Sequence, residues 1–244
     1  MSAPESAARR WDPGLIHTLL DELASRFAGP GYQSEITEAR EDYFARSGKV
    51  FEDDAEVHEA RTVSFLEWYV IERPLGSGLP PVITALEDAR ARTAVPAGSL
   101  ATSMADSIVI DRLQALASLA GSHRSLFDIA HVDGNVIELE DVLGGARFRV
   151  VERRSTIGFE VGALVETRVV WDGEQPVFAK TFLFHPRDAR TQVLDFVDGA
   201  LSAGTDRDEI MFHLAQLYLR WHRHGHSNAA RIYKGSSTIG PVPL

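Results

Sequence analysis

The chain has 244 residues, 44% of them hydrophobic and 25% charged, with a formal net charge of −10 and no cysteine. That size and balance suit one large or two small folded domains and exclude a wholly disordered chain. The missing cysteines exclude disulfides, thiolate nucleophiles and every zinc site built on sulfur. The acidic charge is uneven: residues 1–123 hold 11 Lys/Arg against 19 Asp/Glu, and residues 124–244 hold 14 against 16. An acidic first half argues against general nucleic-acid binding, which needs a cationic surface.

In chain order, the first 123 residues read as helical. Leu15, Ile16, Leu19, Leu20, Leu23 and Phe27 recur at helical spacing over Pro13–Ala28, with Asp12 placed to cap and Pro13 at the first helical position. Polar residues interrupt this run too often for a signal peptide, and no window nears the roughly 18 apolar residues of a membrane span. The expectation is a cytoplasmic protein. A second helix is expected over Ser34–Arg46, ended by Gly48. A long one is expected over Ala55–Ile71, capped by Asp53 or Asp54 and apolar nearly all round from Phe65. Pro81 to about Ala91 and Met104–Ala120 follow, separated by a turn-rich loop over 93–102.

The pattern then switches to period two. Strands are expected at about 125–132, Val136–Leu139, Arg147–Val151, Ala163–Trp171 and Pro176–Phe184, with Asp133-Gly134-Asn135 and Asp172-Gly173 as turns. On the fourth strand Leu164, Glu166, Arg168 and Val170 share a face. Arg147, Arg149, Arg153, Arg154 and Arg168 suggest a basic strip on one sheet face. Helices return at Asp188–Leu201 and Asp206–His224, before a tail rich in Gly, Ser and Pro. The fold class is therefore α+β: N-terminal helices (1–123), a small antiparallel five-stranded meander or barrel (124–186), and C-terminal helices with a tail (187–244) that pack on the rest.

Three constellations carry candidate chemistry. His222, His224 and His226 cluster near the end of the last long helix. His222 and His226 stand four apart, the spacing of paired ligands for a divalent metal, with His185 or a distant carboxylate to complete the site. The same residues also read as cationic side chains at a helix C-terminus, and Gly225 should end the helix before His226. Residues 220–234 hold Arg220, Arg223, Arg231 and Lys234 beside Trp221 and Tyr233, a mixture that can grip phosphates and stack bases. They can equally dock the acidic first half of the chain. Glu67 and Glu72 lie in the densest aromatic cluster, where a buried carboxylate can serve as acid or base, but more commonly pairs with an arginine such as Arg61 or Arg73.

There is no GxSxG, no Walker A loop and no glycine pattern in dinucleotide-binding context. The leading expectation is a non-catalytic binding or adaptor protein that recognises another protein through Arg149, Arg168, Trp171, Trp221 and Arg223, aromatic and arginine side chains being typical anchors. No cofactor is required by this reading. A metal-dependent enzyme built on His222, His224 and His226, and an RNA- or ribosome-associated protein using residues 220–234, are the alternatives. The runs LEDVLGG (139–145), FRVVER (148–153) and VGALVETRVV (161–170) resemble the strand-rich region of uncharacterised bacterial proteins, some of which carry a cysteine-rich SEC-C metal tail. FLEWYVIERPL (65–75) resembles their helical region. The resemblance implies the architecture and no catalytic residue; the SEC-C cysteines are absent from this chain.

Overall fold

The computed structural model describes residues 14–51, 54–93, 104–152, 155–225 and 228–234, with backbone alone at Glu56 and 104–107. Asp12, Pro13, Asp53, Arg153, Arg154, His226 and the loop and tail expectations at 94–102 and 235–244 lie outside those residues. The elements are α1 (Leu15–Phe27), α2 (Gln33–Ser47), α3 (Ala55–Ile71), α4 (Pro81–Thr93) and α5 (Met104–Ala120). Then come β1 (His123–Asp133), β2 (Val136–Asp141), β3 (Arg147–Val151), β4 (Leu164–Trp171) and β5 (Pro176–Phe184). The chain closes with α6 (Arg190–Ser202), α7 (Arg207–Arg223) and α8 (Ala229–Lys234). The fold is α+β.

The five strands form one antiparallel sheet in the order β3-β2-β1-β4-β5. β1 to β3 follow one another as a meander, but the chain then passes to the far side of β1 before laying down β4. The sheet is open rather than closed into a barrel. It curls, however, until the edge strands β3 and β5 approach each other. The curl encloses Phe127, Ile129, Leu139, Val150, Val165 and Phe178, with Phe159 in the β3–β4 loop closing over them. Phe159 stacks on Phe178 at 5.3 Å and meets Phe182 edge-on at 5.4 Å, geometries that aromatic rings favour.

The opposite face of the sheet carries helices. Residues of α1 to α5 build one core that reaches Val170 and Val177 of the sheet and Phe212 of α7. Residues of α6 to α8 build a second on Leu126 and Leu164. In α1 the expected stripe is the buried one: Ile16, Leu19, Leu20, Leu23 and Phe27. Asp54 stands at the N-cap of α3 yet does not cap it. Its carboxylate accepts instead from Phe51 N at 2.8 Å and from Arg223. At α7 a side-chain cap forms, Asp206 accepting from Asp208 N at 2.8 Å.

The docking of α3 on the sheet depends on a β-bulge. Two steps along β4, from Thr167 to Val169, match four steps along β5, from Phe182 to Phe178. The extra residues cannot all join the ladder. Glu67 of α3 compensates: one carboxylate oxygen accepts from Lys180 N at 2.6 Å and Thr181 N at 3.1 Å. Thr167 Oγ1 donates to the Thr181 carbonyl at 2.8 Å. Because Glu67 is only 5% exposed, removing it strands two backbone donors away from water. Glu67→Ala is expected to lower the unfolding free energy by about 3 kcal/mol in urea titrations. Amide exchange at Lys180 and Thr181 should accelerate with it; unchanged protection at both would contradict this role.

Candidate functional site

On the helix-covered face, the register places Arg124 of β1 directly beside Arg168 of β4. Like charges side by side on neighbouring strands repel, and here they have little access to water, Arg168 being 2% exposed and the Arg124 side chain 12%. Glu72, just past the end of α3, answers both: Arg168 Nη2 donates to its Oε1, and Arg124 Nη1 lies 3.5 Å from its Oε2. Arg168 also donates to Ser122 Oγ at 3.0 Å, and its Nε lies 3.9 Å from Glu67. Burial pushes the Glu72 carboxyl up, but Arg168 and then Arg124 outweigh it and hold its pKa below the ordinary carboxylate range. Burial likewise disfavours the charge on Arg124, and Glu72, then Tyr43, Glu166 and Asp208, more than restore it.

Glu166 is the third acid of this layer. His185 Nε2 lies 3.0 Å from Glu166 Oε1, and His185 Nδ1 lies 2.8 Å from the Tyr233 hydroxyl. A neutral imidazole has one N–H. With Nε2–H donated to the carboxylate, Nδ1 accepts from Tyr233, and the chain runs Tyr233 to His185 to Glu166. Burial first, and Glu166 next, push the Tyr233 phenol well above its ordinary pKa, so the hydroxyl keeps its proton. The three side chains are 3% exposed or less. They fasten α8 to the sheet and offer no substrate a way in.

A second polar group sits at the start of β1. Asp141 accepts from Ser125 Oγ and from Leu143 N at 2.9 Å, and lies 2.9 Å from His123 Nε2 and 3.5 Å from Arg207 Nη2. His123 keeps about a third of its side chain exposed and stacks on Phe148 at 5.4 Å. Asp141 orients the imidazole as in a hydrolase dyad, but the serine it also holds is fully buried and bonded to the acid rather than to the base. The group thus has an oriented imidazole, while the serine it holds is committed to the acid. Burial raises the Asp141 pKa, but His123, Ser125, Leu143 N and Arg207 together bring it down to about 2.

The candidate binding residues separate. Arg168 is consumed in the buried ion pairs, a correction to its reading as a surface anchor, and the expected basic strip is not a continuous surface. Register puts Arg147 and Arg149 on the same face as Arg168, but helices cover that face at β4 and leave it open at β3. Arg149 is exposed there, opposite Glu138. Arg223 is likewise engaged within the protein: it donates to Asp54 at 3.0 and 2.8 Å and to the Lys49 carbonyl, and covers the Phe51 ring at 5.0 Å. Trp221 is partly buried against the core of α6–α8, beside Tyr218. Trp171, at the β4–β5 hairpin, is 51% exposed.

The histidines also part. His222 packs on Tyr218 with ring centroids 4.5 Å apart, and His224 is the exposed C-cap of α7. Gly225 turns the chain with φ of 62°, so the helix cannot carry the i, i+4 geometry onward. Among the described residues no group of three or more His, Asp or Glu is placed to hold a metal ion. The buried layer was marked in the sequence by charged residues two apart, Glu166 and Arg168, in a strand whose other positions are almost all apolar. Such a strand is covered on both faces, so its charges must find partners inside. Nothing local marked Arg124, Asp141 or the Tyr233–His185 link, because their partners are distant in the chain.

Residues 108–223 match the model of a family described as a family of unknown function (DUF7986). The match runs from within α5 to the end of α7 and holds Arg124, Asp141, Glu166, Arg168 and His185; Glu67, Glu72 and Tyr233 lie outside it. No curated protein and no solved structure matches the chain.

Two outcomes follow. Glu72→Gln leaves the two arginines without their shared acid and is expected to destabilise by about 3 kcal/mol in urea; a loss under about 0.5 kcal/mol would refute the clamp. Asp141 has a folded pKa below its ordinary 3.8. Its contribution of about 2 kcal/mol is therefore complete above pH 4 and lost as the pH falls towards 2. Asp141→Asn should be less stable at neutral pH and should flatten that acid limb in thermal melts at stepped pH.

Proposed function

We propose that this chain is a non-catalytic binding protein that recognises another protein, with Trp171 at the centre of the contact. The exposure of a tryptophan on a rigid hairpin carries the reading. Asp172, 1% exposed, accepts from Glu174 N at 3.1 Å and Gln175 N at 3.0 Å, and its own N–H donates to the Gln175 carbonyl at 3.0 Å. The turn is thereby held in one shape. An anchor fixed before binding loses little freedom on contact, and tryptophan is the residue type most enriched among such anchors. Arg149 is exposed as well and is assigned to the periphery; Arg223, also exposed, is engaged by Asp54. The buried charges favour the same reading, because each one described above is turned to a partner within the fold.

No described helix is long and apolar enough to cross a membrane. We place the protein in the cytoplasm on its cysteine-free composition and assign it no cofactor. Full-length tagged chain recovered from its native cell, wild type beside Trp171→Ala, tests the proposal. A stoichiometric protein partner is expected with the wild type, weakened about 30-fold by the substitution, with the melting temperature little changed. A partner retained at full affinity by both Trp171→Ala and Arg149→Ala would overturn it.

A further inference from the structure

Between α3 and the sheet lies a cavity of about 10 Å³, walled by Glu67, Arg124, Glu166, Arg168 and Thr181 among others. Four buried polar atoms on those walls make no hydrogen bond within the protein: Arg124 Nη1, Arg168 Nε, Glu166 Oε2 and Thr181 Oγ1. Glu166, Arg168 and Thr181 are 3%, 2% and 7% exposed, so bulk water does not satisfy these atoms. Each such atom left alone costs free energy on the scale of a lost hydrogen bond, more for the charged ones.

The four atoms are complementary to one molecule. Two are N–H donors, one is a carboxylate acceptor, and one is a hydroxyl that accepts equally well. An anion would face Glu166 and Glu67, and a cation would face two arginines. A neutral group that accepts twice and donates twice fits, and the volume is that of a single water.

We propose that this cavity binds one ordered water, which accepts from Arg124 Nη1–H and Arg168 Nε–H and donates to Glu166 Oε2 and Thr181 Oγ1. The water joins the Tyr233–His185–Glu166 chain to the arginine pair held by Glu72. A continuous run of hydrogen bonds then extends from α8 through the sheet to α3, and the internal water is a positioning element of that layer.

A crystal structure of the full chain at a resolution that shows ordered solvent is the first test. A single spherical peak at about 2.7–3.2 Å from all four atoms is expected. No peak, with Arg168 Nε turned directly onto Glu166 or Glu67, would overturn the proposal, as would density larger than one atom. In solution, the Arg168 Nε–H resonance should show a cross-peak to water of the sign given by a long-lived bound molecule. Thr181→Val puts a methyl group where the hydroxyl accepts and should abolish that cross-peak in a folded protein. Absence of the cross-peak in the wild type, or its survival in the variant, would count against the assignment.

Discussion

Two arginines on adjacent strands, turned to the same face and shut away from solvent, set the terms for the rest of this fold. Arg124 and Arg168 are register partners, so the sheet cannot form without placing their charges together. The energy of that juxtaposition is recovered only when α3 arrives with Glu72. The helix therefore docks by charge as well as by its apolar stripe. A buried pair of this kind is weak evidence for net stability, since apolar residues of similar volume often do as well. In this one seating of α3, Glu72 meets both arginines while Glu67 meets the bulge donors of β5.

The two helical groups meet over this polar layer. The core of α1–α5 and the core of α6–α8 occupy different parts of one sheet face, with the charged residues between them. Further polar links join the groups around it. Arg46 of α2 pairs with Glu209 of α7 at 2.7 Å, and Arg223 at the other end of α7 holds Asp54. Arg61, completely buried, gives its Nη2 to the Ser47 carbonyl and hydroxyl at 2.6 Å each, fixing the end of α2 against α3. One contact between the basic C-terminal stretch and the acidic first half is thus made at Arg223, whose guanidinium is engaged by Asp54 and the Lys49 carbonyl.

The elements were largely legible in the sequence because their signals are local. The stripe of α1, the span of α3 and the strand at Pro176–Phe184 follow from periodicity and turn residues alone. α8 escaped because six residues are too few for a helical rhythm to show. The site was less legible for the same reason in reverse. Glu67 was expected to pair with Arg61 or Arg73, its neighbours in sequence; it binds backbone of β5 instead, and Arg61 serves Ser47. Alternation put Glu166 and Arg168 on one face correctly, but it cannot say which face is covered when apolar residues occupy both. Helix-end charge was one of two readings for the histidine cluster; α7 ends at Arg223 with His224 as its C-cap, and His226 lies outside the described residues.

The curl of the sheet has a bearing on how this protein behaves in a crowded cell. A five-stranded open sheet ordinarily presents two rows of unpaired backbone groups, each a template on which another chain can add a strand. Here β3 and β5 are drawn towards each other around the phenylalanine-rich interior, so neither outer edge lies flat and open. Association by strand addition is thereby discouraged without the closure of a true barrel. A protein protected in this way can display a bare tryptophan at a hairpin tip while keeping self-assembly through its sheet in check.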